Sequence, residues 1–255
     1  MKRDISVLAA SFGCLCATVG AASASDTGPA ARPIAVVELF TSQGCANCPP
    51  ADAFLGELAR EREVVALSYP VDYWDYMGWK DTAARPEFTR RQKGYAHTRG
   101  DRDVYTPQVV VNGRKRLVGS DREGIRREIA VGDGERHDLS VEVGIECGSE
   151  ALRVRLPEAA APEGVHASVW LVRFDLARSV TIGRGENHGR TLTYTNLVRS
   201  LQPIGMWKGR AATIELPRPE TQGDPNFGCA VLVQADKDDQ PGPILGAALC
   251  SPPRG

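Results

Sequence analysis

The stretch "VVELFTSQGCANCPPADAFLGELAR", residues 36–60, decides how the chain is read. From Ile34 to Phe40 the residues are apolar apart from Glu38, the pattern of a strand buried on both faces in a parallel arrangement. After the loop, Ala51, Phe54, Leu55 and Leu58 recur at helical spacing, and Pro49 and Pro50 suit a first helical turn, where amide donors are not needed. Between strand and helix stands Cys45-Ala46-Asn47-Cys48.

A Cys-x-x-Cys pair can hold zinc, anchor haem, form a static bridge or cycle between dithiol and disulfide. Zinc needs two more ligands at matching spacing, and the histidines, His97, His137, His166 and His188, form no second ligand pair. Haem attachment needs histidine directly after the second cysteine, where Pro49 stands. A structural disulfide and a redox centre both stay open, and neither requires a metal or organic cofactor. In the redox reading, unpaired amides and the dipole at the helix N-terminus stabilise Cys45 as the nucleophilic thiolate, and Cys48 resolves the mixed disulfide from within one turn.

The compartment bears on this choice. Met1-Lys2-Arg3, an apolar run from Ile5 to Gly20 and Ala22-Ser23-Ala24 have the form of an export signal over residues 1–24. The residues before Cys14 lack the aliphatic position of a lipidation site, and no later segment reaches the roughly 18 apolar residues of a membrane span. The expected location is periplasmic or secreted, where disulfides persist. Removing Cys14 and Cys16 from seven cysteines leaves five, an odd number, so at least one thiol has no partner within the chain. The net charge is -1 and the arginines are dispersed, which argues against nucleic acid or an anionic membrane surface as partner.

The remaining pattern divides in two. Residues 33–132 read as strand, helix, strand, helix, hairpin, helix. An aromatic and helical insertion, at about 70–100, carries Tyr73, Trp74, Tyr76 and Trp79, which either pack onto the sheet or wall a groove beside Cys45. Asn112-Gly113 is a two-residue hairpin turn, and Ser120 with Glu123 reads as a capping box for a helix bearing Ile125 and Ile129. Residues 137–252 hold short β-type runs separated by Gly, Pro and Asp, the spacing of an antiparallel sandwich. There the runs Ala230–Val233 and Ile244–Leu249 fold back about "DKDDQPGP" and set Cys229 opposite Cys250, within about 4.5–5.5 Å at Cα, so a Cys229–Cys250 disulfide is expected and Cys147 is left over. "GRGENHGRT", Gly183 to Thr191, lacks the Lys-Ser/Thr of a phosphate cradle and reads as a sandwich loop whose Glu186, Asn187 and His188 could meet a partner.

Val36 to Leu58, with Thr106-Pro107 ahead of a strand and an Asn-Gly hairpin, resembles the thioredoxin fold. That resemblance implies an α/β thioredoxin-like N-terminal domain, a mixed sheet with flanking helices, ahead of the all-β antiparallel sandwich-like domain. It implies that Pro107 is cis and faces the cysteines and that Thr106 and Pro107 pair with an extended substrate chain; the groove reading of the aromatics adds Trp74 to that surface. Glu38 lies near the buried acid of that fold, where it either shuttles a proton to or from Cys48 or is satisfied by local hydrogen bonds. More narrowly, "FTSQGCANCPPAD", "VDYWDYMGWKD", "TPQVVVNG", "RGENHGRTLTYTNLVR" and "GPILGAA" resemble the uncharacterised exported bacterial family, domain of unknown function 1223. The expected activity is thiol-disulfide exchange on protein thiols with an unidentified redox partner; the alternative is a non-catalytic exported binding or assembly module on the same scaffold.

Overall fold

The computed structural model describes residues 32–148, 150–159, 166–217 and 224–250, so the expected export signal at 1–24 lies outside the described residues. The chain order is β1 (Ala35–Thr41), α1 (Pro49–Leu58), β2 (Val64–Pro70), a 3-10 turn (Asp75–Met77), α2 (Pro86–Arg99), β3 (Gln108–Val111), β4 (Lys115–Val118) and α3 (Arg122–Gly134), followed by seven strands. These are β5 (Gly144–Cys147), β6 (Ala151–Leu156), β7 (Ala167–Thr181), β8 (Thr191–Trp207), β9 (Ala212–Pro217), β10 (Phe227–Lys237) and β11 (Gln240–Cys250).

Eight of the strands form one mixed sheet in the order β11-β10-β7-β8-β2-β1-β3-β4, and β5-β6-β9 form a second. β1 runs parallel to β2 and antiparallel to β3, and β2 meets β8 in parallel at Ser68 and Leu197. Through that seam four of the later strands extend the first half's sheet, where the sequence suggested a separate all-β body, and the described residues belong to one compact unit. The physical cause is β2, buried along its whole length, whose free edge needs a partner for its amides and carbonyls.

Alternation along β1 separates the two faces. Val37 and Leu39 pack with Phe54, Leu55 and Leu58 of α1 and Ile125 and Ile129 of α3. Val36 and Phe40 face Phe88 and Tyr95 of α2, in a core that reaches Leu232 and Ile244 of β10 and β11. The small sheet covers Val169, Leu171, Val231 and Val233. Fully burying each such side chain contributes about 1.5–3 kcal/mol.

Local signals place the boundaries. α2 ends at Gly100, which takes φ 73° as a left-handed cap. The cap of α3 is Asp121, whose carboxylate accepts the Gly124 amide at 2.9 Å, rather than the expected Ser120-Glu123 box. Asn112 and Gly113 both have positive φ, as a primed hairpin turn requires. Gly113 also lies so near the Gly242 carbonyl that a Cβ would sit 2.4 Å from it. Asn112 ties this turn to three other segments: its Nδ2 donates to Asp138 at 3.0 Å, its Oδ1 accepts from the Val36 amide at 2.7 Å, and its carbonyl accepts from Ile244 at 2.9 Å.

Candidate functional site

Cys45 and Cys48 are joined by a disulfide, with Cα atoms 5.4 Å apart. Cys48 is the N-cap of α1, and Cys45 lies in the turn before it. Pro49 and Pro50 have no amide hydrogen, and the amides of Ala51 and Asp52 both donate to the Cys48 carbonyl, at 2.9 and 3.0 Å. The thiolate stabilisation expected from unpaired helix amides therefore lacks donors, and the helix dipole alone remains.

Both cysteines are shielded, Cys45 at 2% and Cys48 at 0% exposure. One side of the cover is the aromatic insertion. Gly44 approaches Trp74 so closely that a Cβ would lie 3.3 Å from Trp74 Cβ, and Trp74 Nε1 donates to Thr106 Oγ1 at 2.7 Å. Trp74 therefore ties the residue before Cys45 to the residue before Pro107. The Thr106–Pro107 bond is cis, and Gly119 sits against Pro107, Ala51 and Leu39, which brings Pro107 beside the first turn of α1.

The other side of the cover is the loop between β7 and β8, which the sequence marks only as a place where a partner could meet the chain. Asn187, between β7 and β8, is buried, and its Nδ2 donates to the carbonyls of Gln43 at 3.0 Å and Cys45 at 2.9 Å. Arg190 donates to Asn187 Oδ1 at 2.8 Å, and Gly183 is pressed against the Trp79 ring. Gln43 is held in turn: its amide donates to Asp81 Oδ2 at 2.8 Å, and its Oε1 accepts from Trp79 Nε1 at 2.9 Å.

Glu38 is held by two side chains of α2. Arg91 Nε donates to its Oε1 at 2.7 Å and Tyr95 OH to its Oε2 at 2.5 Å, and Gln234 of β10 donates to Tyr95 at 2.7 Å. The carboxylate is the centre of a buried network that fastens α2 to both halves of the sheet, the hydrogen-bonded environment that was one of the two readings of Glu38. The residue that sequence reasoning missed is Asp52, one helical turn after Cys48 and so on the same helix face. It is buried, and neither carboxyl oxygen makes a hydrogen bond of normal geometry. Burial raises its pKa from the ordinary 3.8 to about 7; the nearby Thr41 hydroxyl lowers it and the Asp81 charge raises it further. The signal was present as an acid on the apolar face of a short helix.

In the second half, Cys250 is bonded to Cys147 and Cys229 is free and buried, which corrects the expected Cys229–Cys250 bridge. The register was right, since Cys229 and Cys250 are cross-strand partners. Neighbours on one sheet face project side by side, however, and a disulfide needs side chains directed at each other. Burial pushes the Cys229 thiol up to about 11. Among the described residues, no group of three or more His, Cys, Asp or Glu is placed to hold a metal ion, and no helix is long and apolar enough to cross a membrane.

Residues 36–234 match the family described as "Protein of unknown function (DUF1223)". The chain belongs to that family. The DUF1223 chain is also similar to an Agrobacterium tumefaciens protein solved by X-ray crystallography, with 35% identity, a TM-score of 0.77, and 87% of this chain and 95% of the other covered. It is similar in fold to HBP35 of Porphyromonas gingivalis, with 14% identity, a TM-score of 0.59, and 86% and 75% covered. No curated protein matches.

Proposed function

We propose that this chain is an exported thiol-disulfide oxidoreductase, acting in the periplasm or after secretion, whose Cys45–Cys48 pair cycles against protein thiols. The observation that carries the reading is the bonded pair at the start of α1 with a buried, unpaired carboxyl, Asp52, one turn further on. Opening the bond requires a proton for Cys48, which is fully buried, and re-forming it requires that proton to be removed. A group with a pKa near neutral can do both. The strand order β2-β1-β3-β4, with α1 and α3 packed against one face and α2 against the other, supports reading residues 33–132 as thioredoxin-like, with 137–252 as a sandwich-like extension.

The second reading is a binding or assembly module, favoured by the burial of Cys45 beneath Trp74 and Asn187. In the enzyme, that cover has to swing aside for a partner to reach Cys45. Trapping separates the two. With Cys48→Ser expressed in the exported compartment, the enzyme accumulates mixed disulfides on Cys45; a module yields none, and its native pair resists dithiothreitol until the chain unfolds.

A further inference from the structure

A second site lies apart from the cysteines. Arg85, Arg178 and Arg199 line one cleft of about 180 Å3, with Thr82–Ala84 as one wall and Leu197 and Val198 on β8. The three arginines come from three elements: Arg85 is the N-cap of α2, Arg178 lies on β7 and Arg199 on β8. We infer that this cleft binds a phosphate group.

Charge is the first argument. Among the described residues, Arg199 is the one of the three whose guanidinium meets a carboxylate, that of buried Asp175 at 2.6 Å. A second carboxylate, that of Asp81, accepts from the Ala83 and Ala84 amides of the cleft wall, so three positive charges stand against two negative ones and positive charge is in surplus. A phosphate group near neutral pH carries about -1.5 to -2 and offers oxygens that match the guanidinium fork. α2 adds to this, because its positive dipole end opens at Arg85. Volume is the second argument. The cleft, about 180 Å3, is large enough for a tetrahedral oxyanion.

The site is independent of the redox reading, although the two are neighbours. The Gln43 amide group donates to Thr82 Oγ1 at 3.2 Å, so the cleft wall is bonded to the loop that carries Cys45.

Calorimetric titration of the full chain tests the inference, with ionic strength held constant by chloride so that general screening is matched. Inorganic phosphate and glycerol 3-phosphate are the two probes. Saturable binding of both identifies the phosphate group of an organic ligand; binding of inorganic phosphate alone identifies the free anion. Arg85→Gln with Arg178→Gln is expected to weaken the binding at least about tenfold, since each supplies a charge-assisted bond. Arg199 is left in place because it neutralises buried Asp175. Should the double variant melt lower in chloride, amide shifts in the unaltered chain decide: phosphate must move Ala84, Arg85 and Val198. Failure of both probes to bind saturably, equal binding by a double variant that melts normally, or shifts mapping elsewhere overturns the site.

Discussion

The side-chain amide of Asn187 holds the carbonyl oxygen of Cys45 at 2.9 Å across 142 residues of chain. The loop joining two strands of the second half is thereby part of the cover over the cysteine pair of the first.

Asn187→Ala removes that bond and its companion to Gln43. At about 1 kcal/mol net for each bond, the open population rises roughly 5- to 30-fold. After mild reduction, Cys45 is expected to alkylate faster by that factor while the melting temperature changes little. An unchanged labelling rate would mean the loop is not a cover.

Glu38 and Arg91 form a buried pair in which neither charge has another opposite partner among the described residues. Glu38→Gln leaves the guanidinium uncompensated and is expected to cost about 3–5 kcal/mol in denaturant unfolding. Glu38→Gln combined with Arg91→Met removes both charges and is expected to recover most of the loss. A double variant no more stable than the single one would show that the pair has some other role.

Asp52 sets a pH dependence. Folded, it keeps its proton up to about 7; in the unfolded chain it releases it near 3.8. Between those values the folded state binds more protons, so stability falls as pH rises and levels off above 7. The span corresponds to at most about 4 kcal/mol. Asp81 is also raised, by burial above all, and slopes the same way. Asp52→Asn is expected to flatten the profile from pH 4 to 7 and to be more stable than the parent at pH 8. If the exchange reaction is also measured, its pH midpoint moves with this residue.

The Cys147–Cys250 bridge closes a loop of 103 residues. Cys147→Ser is expected to cost about 2–4 kcal/mol. Cys229, buried with its thiol pushed up to about 11, should resist iodoacetamide in the native chain and react once unfolded. Peptide mapping without reductant that joins Cys229 to either neighbour would refute this.

Much of the first half was legible because its signals are local. The period of Ala51, Phe54, Leu55 and Leu58, the Pro49-Pro50 start, Gly100 and Asn112-Gly113 each act within a few residues. The joining of the halves was not legible, because it rests on β8. That strand is interrupted by Asn196 at positive φ and by Pro203, and its alternation is uneven, so no local pattern marks it. The sequence leaves Glu38 with two readings for a related reason. Position in a strand says that a carboxylate is buried, but its partner, Arg91, lies 53 residues away. Asp52 needed the tertiary structure to reveal that, among the described residues, no ion pair answers its charge.

The meeting of Ser68 with Leu197 bears on dividing the chain. A chain cut in the linker after α3 would bare the open flank of β2 and the apolar side of α2, a surface prone to sticky association. Either part expressed alone is therefore expected to need a substitute cover for that flank.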